Sequence, residues 1–358
     1  MTAAVTAACL DTREPVGAGV DVRIESDERA WTAYVQSHTE STGYHEWAWR
    51  TVLERAFGYQ SIYFAAWRGN HIVGVLPTVF MDSWLFGRAL ISLPYLNYAG
   101  VLADDATAAR GLFQQAIESA RDRRCRHVEL RHVKQRFADY PSKQHKVTML
   151  LPLRKPSALW DGFDRKVRNQ VRKAQKSGLL YESGGIEQLD RFYEVFSRNM
   201  RDLGTPVYSR KFFEEILRAF PERTRVHVVA HQGAPVAAGL TFETRGTVEI
   251  PWASSVREFN HLCTNHLLYW SILEWAATRG CATFDFGRST PNEGTYKFKE
   301  QWGAQAVPLC WEYGLIDGAI VPNTSPANPK FRLAVSLWKK LPVPIANRVG
   351  PMIVRAIP

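Results

Sequence analysis

A short polar stretch in the second half of the sequence carries side chains suited to chemistry. Asp285 lies between Phe284 and Phe286 on an expected buried strand, and Gly287 permits a sharp turn directly after that strand. Arg288 follows at the strand end, where α/β folds commonly place polar sites. A carboxylate at this position can orient a cation or accept a proton from an amine. The simpler alternative is that Asp285 only caps the following loop.

A short helix after this loop carries Tyr296, Lys297, Phe298 and Lys299. The two lysines are two residues apart and must point to different sides, so at most one of them faces a cleft. A lysine held in place can stabilise a developing oxyanion, which makes Lys299 the candidate catalytic cation beside Asp285. Tyr296, Lys297 and Arg288 are candidate substrate contacts. The alternative is that both lysines are solvated.

A strongly basic segment divides the sequence. Residues 143–176 contain ten Lys or Arg against two Asp. Arg165, Arg168 and Arg172 form one row of a predicted helix that Gly178 ends. Guanidinium groups bind phosphates bidentately, so Arg168 and Arg172 are predicted to hold phosphate, and a solvated basic face is the alternative. Four apolar residues predict the buried stripe of this helix: Phe163, Val167, Val171 and Ala174.

The chain repeats itself. Residues 44–80 resemble residues 208–244 at an offset of 164, and both read as helix, strand, glycine-bearing turn and strand. Residues 117–130 resemble residues 273–286 at an offset of 156, and both read as a helix followed by a short buried strand. Two matches in the same order at nearly the same offset indicate an internal duplication.

The duplication predicts an α/β (α+β) protein of two tandem domains with mixed, largely antiparallel sheets flanked by helices. We predict a disordered tail over 1–19, a first domain over 20–151, and a linker with the basic helix over 152–178. The second domain, over 179–316, is expected to hold the active site. A basic, proline-containing and loose C-terminal tail is expected over 317–358.

Length and composition limit the function classes. The chain has 358 residues, a formal net charge of +10 and an ordinary globular content of hydrophobic residues, so an anionic partner is expected. Its five cysteines form no CxxC pair, which argues against a disulfide framework or a bound metal. No apolar run is long enough to span a membrane, and the N-terminus is a poor signal peptide. We therefore expect a cytoplasmic protein.

The order of elements in each half suggests the GNAT acyltransferase fold, but its coenzyme loop is not recognisable. Standard members carry R/Q-x-x-G-x-G/A after the fourth strand, where glycines let backbone N–H groups approach a pyrophosphate. Here the corresponding strand is followed by Arg257-EFNHL, with Asn260 and Leu262 in place of glycine. A standard acetyl-CoA site is therefore disfavoured, and no tightly bound cofactor is predicted.

Several motifs together resemble one family. They are KxRxxVRKAxKxGL from Lys166, FSRNMRDLGTPVYSRKFF from Phe196, LLYWSILEWAATRG, FDFGRST and GTYKFKEQWGA. In this order, over roughly residues 44–313, they resemble the Fem family. Within it, the chain looks like the FemAB-like proteins associated with exosortase and PEP-CTERM exopolysaccharide systems.

The resemblance implies a tandem GNAT fold and acyl transfer. Fem enzymes transfer an amino acid from aminoacyl-tRNA to an amine of a peptidoglycan precursor, and Lys299 matches the lysine that lies beside the transferred group. Arg168 and Arg172 match the residues that hold the precursor's phosphates, and Arg201 matches a recurrent family arginine. The long helical arm of members that take tRNA is missing here, which puts tRNA use in doubt.

The sequence thus predicts an N-acyl or aminoacyl transferase. The donor is aminoacyl-tRNA or acyl-CoA, and the acceptor is an amine of a phosphate-bearing glycan or a lipid-linked, peptidoglycan-type precursor. The alternatives are an acetyl-CoA-dependent N-acetyltransferase and a non-catalytic module that binds anionic glycan or nucleotide. The apolar, basic segment 331–340 also suggests peripheral contact with the inner face of the membrane, with a helix packed on the body as the alternative. The oligomeric state is not predicted.

Overall fold

The computed structural model describes residues 19–322 and 329–357, with side chains described from residue 334 onward in the second range. The predicted N-terminal tail lies outside the described residues except for Gly19. The first half of the chain contains ten elements in this order: β1 (Asp21–Ile24), α1 (Glu28–Ser37), α2 (Ala48–Phe57), β2 (Gln60–Arg68), β3 (His71–Ser83), β4 (Gly87–Ile91), β5 (Leu102–Ala103), α3 (Ala106–Asp122), β6 (His127–His132) and β7 (Ser142–Pro152).

The second half repeats this order after two connecting helices, α4 (Pro156–Gly162) and α5 (Arg165–Lys176). Its elements are β8 (Leu179–Gly184), α6 (Leu189–Leu203), α7 (Arg210–Ala219), β9 (Thr224–His231), β10 (Ala234–Thr244), β11 (Thr247–Ser255), α8 (Thr264–Thr278), β12 (Thr283–Ser289), α9 (Gly294–Glu300) and β13 (Gln305–Leu315). Helices α10 (Pro329–Trp338) and α11 (Val343–Val354) follow. The predicted fold class is confirmed.

The two halves share one continuous sheet because they exchange their last strands. The order along the sheet is β1-β2-β3-β4-β6-β13-β7-β12-β11-β10-β9-β8, and β5 pairs with β3 off this path. Strand β13 of the second half pairs with β6 of the first, and β7 of the first half pairs with β12 of the second. The exchange brings first-half side chains next to the polar stretch after residue 284.

The two faces of the sheet carry different helices. On one face, α1, α2, α6 and α7 build a core that both halves share, with Phe57 and Phe212 in ring contact at 5.0 Å. On the other face, α3 covers the first half, and α5 and α8 cover the second. Phe284 and Phe286 belong to the core under α5 and α8, so Asp285 between them faces the shared core.

The basic helix α5 forms as its sequence predicts. The Asp164 carboxylate accepts a hydrogen bond from the Lys166 N–H and caps the first turn, and Gly178 follows the last turn with φ of +70°. The predicted apolar stripe is buried against α8. The charged face of α5 is therefore turned away from the sheet.

The C-terminal stretch is not loose over residues 329–357, contrary to the sequence interpretation. Helix α11 buries Val354 in the shared core, and the backbone of Val207 lies against Gly350. The Tyr59 and Tyr95 hydroxyls donate to the carbonyls of Arg355 and Val354, both at 2.8 Å. Basic composition suggested solvation, whereas the apolar residues between the basic ones supply a buried face.

Within the described ranges, no helix combines the length and apolar character that crossing a bilayer requires.

Candidate active site

Two buried carboxylates lie side by side where β11 and β12 part. The parallel pairing of these strands ends with Glu249 opposite Asp285. Gly287 then adopts φ of +72°, and a side chain there would press on the carbonyl of Ile250 at 3.1 Å. Beyond this turn, β12 continues along β7 with Arg288 opposite Thr148. Gly287 thus directs the chain away from β11 and places Arg288 just beyond the point where β11 and β12 separate.

Asp285 has no exposed surface and is held by three donors. The Tyr98 and Thr148 hydroxyls each lie 2.5 Å from its carboxylate, and the Gly287 N–H donates at 2.8 Å. Burial raises the pKa of Asp285, while the three donors favour its charged form. Burial and the nearby carboxylates raise the pKa of Tyr98 well above its usual value, so Tyr98 remains a donor. Tyr98 and Thr148 come from the first half of the chain.

Glu249 is a site residue that sequence reasoning missed. Its carboxylate hydrogen-bonds the Tyr44 hydroxyl at 2.8 Å and the Asn97 side-chain amide. Burial, followed by repulsion from Asp285, raises the pKa of Glu249 to about 8. Burial therefore raises the pKa of both carboxyl groups of the pair. The only sequence signal for Glu249 was its position as an acidic residue between Val248 and Ile250, which are both buried.

This shifted pKa predicts how Glu249→Gln changes stability with pH. A folded-state pKa above the unfolded one makes the protonated Glu249 stabilising at low pH, and that contribution is lost as pH rises toward 8. Glutamine mimics the protonated acid and does not titrate. Chemical unfolding at pH 5, 6, 7 and 8 measures the free energy of unfolding of both proteins. The value for the variant should rise relative to that of the wild type by up to about 1 kcal/mol per pH unit. A stability difference that is equal at pH 5 and pH 8 would contradict this assignment.

Lys299 is the buried cation of the site. Its Nζ donates to the carbonyls of Gly287 at 2.8 Å and Arg288 at 3.1 Å, and only 7% of the residue is exposed. Burial lowers its pKa to about 8, although the charges of Asp285 and Glu249 act in the opposite direction. The two carbonyls occupy two of its three N–H donors, so one remains for a reactant.

Arg288 lies half-buried beside this group. Its guanidinium stacks on Trp311 at 5.5 Å, and Arg131 stacks on the same ring at 4.4 Å. Burial and then Arg131 lower the pKa of Arg288. Among the described residues, no carboxylate or other acceptor contacts the Arg288 guanidinium, whereas Arg131 pairs with Glu129 at 2.8 Å. Arg288 is therefore available for an anionic group.

A cavity of about 200 Å³ lies next to Tyr98. Its lining includes Glu40, Arg131, Lys134 and Arg136 as well as residues 100–102. Arg136 pairs with Glu40, and among the described residues Lys134 contacts no carboxylate. Tyr98 thus lies between Asp285 of the second half and a cavity of the first half in which Lys134 is a cation without a carboxylate partner among the described residues.

The structure brings together only part of the predicted site. Asp285, Arg288 and Lys299 form one group, whereas Lys297 is exposed and Tyr296 packs against the core under α8. The prediction that Lys297 and Lys299 point to different sides is confirmed.

Three predicted arginines lie on other elements. Arg168 and Arg172 are on α5, whose apolar stripe packs in the core under α8, whereas Asp285 faces the shared core; that they share a groove with Lys299 stays a prediction. Arg172 stacks on Trp160 at 5.4 Å, and the Nε of Arg168 is buried without a partner among the described residues. Arg201 donates to Asp202 and to the carbonyl of Leu341.

The place of a standard coenzyme loop carries side chains instead of glycines. Residues 257–262 form a 3-10 turn, and Cys263 begins α8 with φ of +62°. The Cys263 thiol contacts Gln170 of α5 at 2.5 Å, which brings α5 against the start of α8. A pyrophosphate would have to displace these contacts to reach the helix N-terminus in the standard way.

Comparisons with known proteins agree with this architecture. Residues 162–300 match the family model of the acetyltransferase (GNAT) domain. The chain is similar to the crystal structure of FemX, with a TM-score of 0.60 and 16% identity over 81% of this chain and 96% of that one. It is also similar to a tandem GNAT protein from the clavulanic acid biosynthesis pathway, with a TM-score of 0.55 and 12% identity over 85% and 100%.

A third similar structure is the C-terminal domain of a putative lysylphosphatidylglycerol synthetase from Agrobacterium fabrum, with a TM-score of 0.53 and 13% identity over 80% and 91%. No curated protein is significantly similar in sequence. The chain therefore has a tandem GNAT fold. An association with PEP-CTERM systems stays a prediction.

Proposed function

We propose that this protein is an acyltransferase that moves an activated acyl group, aminoacyl or acyl-thioester, onto an amine. The observation that carries the proposal is Lys299, a buried cation fixed by two carbonyls beside Arg288 and the carboxylate pair. The GNAT domain match and the likeness in fold to FemX support the reaction class.

The chemistry requires orientation and charge stabilisation rather than a covalent intermediate. The acceptor nitrogen attacks the acyl carbonyl, the new C–N bond forms, and the C–O bond of an ester or the C–S bond of a thioester breaks. The free N–H of Lys299 stabilises the tetrahedral oxyanion, and Arg288 neutralises an adjacent anionic group. The amine proton leaves to solvent or to the departing group.

Asp285 contributes through Tyr98. Since Asp285 has no exposed surface, it cannot touch a reactant and acts as a positioning residue. Its carboxylate fixes the Tyr98 hydroxyl, and Tyr98 is also one of the residues that line the cavity of the first half. Lys134, which contacts no carboxylate among the described residues, suits a phosphate-bearing acceptor. We infer that the acceptor is an amine on a cell-envelope glycan or a peptidoglycan-type precursor, with exopolysaccharide biosynthesis as the setting.

The test is a matrix of donors and acceptors analysed by product mass. Acetyl-CoA, longer acyl-CoAs and aminoacyl-tRNA are each incubated with amino-sugar nucleotides and peptidoglycan precursors. We expect a new amide with at least one pair, and its loss in Lys299→Met. Salt-sensitive binding of the anionic acceptors without turnover of any donor would instead favour the non-catalytic alternative.

A further inference from the structure

Helix α11 is apolar on two opposite sides, but only one side is covered. Its inner side packs on the body through Ala346, Gly350 and Val354. Its outer side presents Ile345, Val349 and Met352, which are 48%, 37% and 72% exposed. Their spacing of four and three residues aligns them in one stripe. Large apolar side chains grouped on a surface mark a contact site.

An exposed tryptophan lies at the C-terminal end of this helix. Trp84 in the turn between β3 and β4 is 80% exposed, and Leu85 beside it is 41% exposed. The Ser83 hydroxyl donates to the carbonyl of Ala356 at 2.6 Å, which holds this turn against the end of α11. Tryptophan and tyrosine are enriched where a protein meets the boundary between lipid and water.

The charge around the stripe is positive. The sequence after Asp317 contains no Asp or Glu, and Lys339, Lys340 and Arg348 are exposed around α11. Several acidic groups also lie near this surface. Asp82 pairs with Arg88 and Asp190 with Arg210, and Asp190 and Glu194 line a cleft on the flank of α11.

We propose that this surface docks on an anionic lipid bilayer. We name it the C-terminal docking surface and define it as Trp84, Leu85, Ile345, Val349 and Met352 with their surrounding cations. The alternative is that this surface binds a second copy of the chain. A two-fold contact through the same patch would place Lys340 and Arg348 of one copy against those of the other, which is unfavourable. A surface of phosphate headgroups complements them.

The docking surface lies close to the candidate active site. Tyr95 donates to the carbonyl of Val354 at the end of α11, and its ring contacts that of Tyr208 at 5.3 Å. The charge of Arg288 acts on Tyr208 in turn. The inner side of α11 therefore borders the aromatic cluster on which the charge of Arg288 acts. This step rests on the proposed function: docking then presents a lipid-linked acceptor to the active site.

Vesicle sedimentation with the full chain tests the proposal. The vesicles are phosphatidylcholine with and without phosphatidylglycerol. Ile345→Asp combined with Met352→Asp should lower the partition coefficient onto anionic vesicles by a factor of at least about 10. The matched control, Leu180→Asp combined with Ile186→Asp, changes exposed apolar residues elsewhere and should bind like the wild type.

Charge is tested separately. Replacing Lys339, Lys340 and Arg348 by glutamine should weaken binding by about fivefold each, or roughly 100-fold together. Equal binding of wild type and both variants, equal binding to neutral and anionic vesicles, or an α11-dependent dimer without vesicle binding would each overturn the proposal. Sedimentation needs no turnover, so its failure is distinguishable from failure of the proposed reaction.

Discussion

Replacing Lys299 by methionine is expected to lower kcat by a factor of about 10²–10³. Methionine keeps most of the length of the side chain and removes its charge and donors. The lowered pKa of Lys299 shows that burial disfavours its charge. Removing the charge therefore offsets part of the free-energy cost of leaving the Gly287 and Arg288 carbonyls without a donor. The variant should therefore remain folded, and steady-state kinetics with the productive donor measures the effect.

Lys297→Met is the matched control, since it makes the same change two residues away on an exposed side of α9. It should keep the wild-type kcat. In Lys299→Met, kcat and kcat/KM should fall together because the lost interaction is made in the transition state. Wild-type kcat in Lys299→Met, with product verified by mass, would remove Lys299 from the mechanism.

The duplicated fold was predictable because each repeat encodes it locally. The glycine-bearing turns between paired strands and the helix-to-strand pattern recur at offsets of 164 and 156, and the structure contains both copies. The exchange of β7 and β13 was not predictable. Both strands have similar apolar patterns, and their partners lie in the other half of the chain, so nothing local distinguishes exchange from closure within each half.

The candidate site was predictable only where its residues are contiguous in sequence. Asp285, Arg288 and Lys299 lie within fifteen residues of one another, and a strand, turn and helix bring them together. Tyr98 and Thr148 reach Asp285 only because the exchanged strands meet beside β12. The charge of Arg168 and Arg172 suggested the cleft, which stays a prediction, and the buried stripe of α5 packs in the core under α8.

The pH dependence of kcat is expected to identify Lys299 independently of its removal. Its pKa of about 8 means that the cation is present below pH 8 and is lost above it. If Lys299 stabilises the oxyanion as a cation, kcat should fall about tenfold per pH unit above this value. Glu249 titrates in the same range, with a pKa of about 8, so the wild-type profile alone cannot distinguish the two groups.

Two variants make the distinction. Lys299→Arg keeps a charge that persists at high pH, so the alkaline decline should disappear even where the absolute rate is lower. Glu249→Gln removes a carboxylate whose charge raises the pKa of Lys299, so the decline should remain and move to lower pH. A decline that persists unchanged in Lys299→Arg would assign the titration to another group and exclude a cationic role for Lys299.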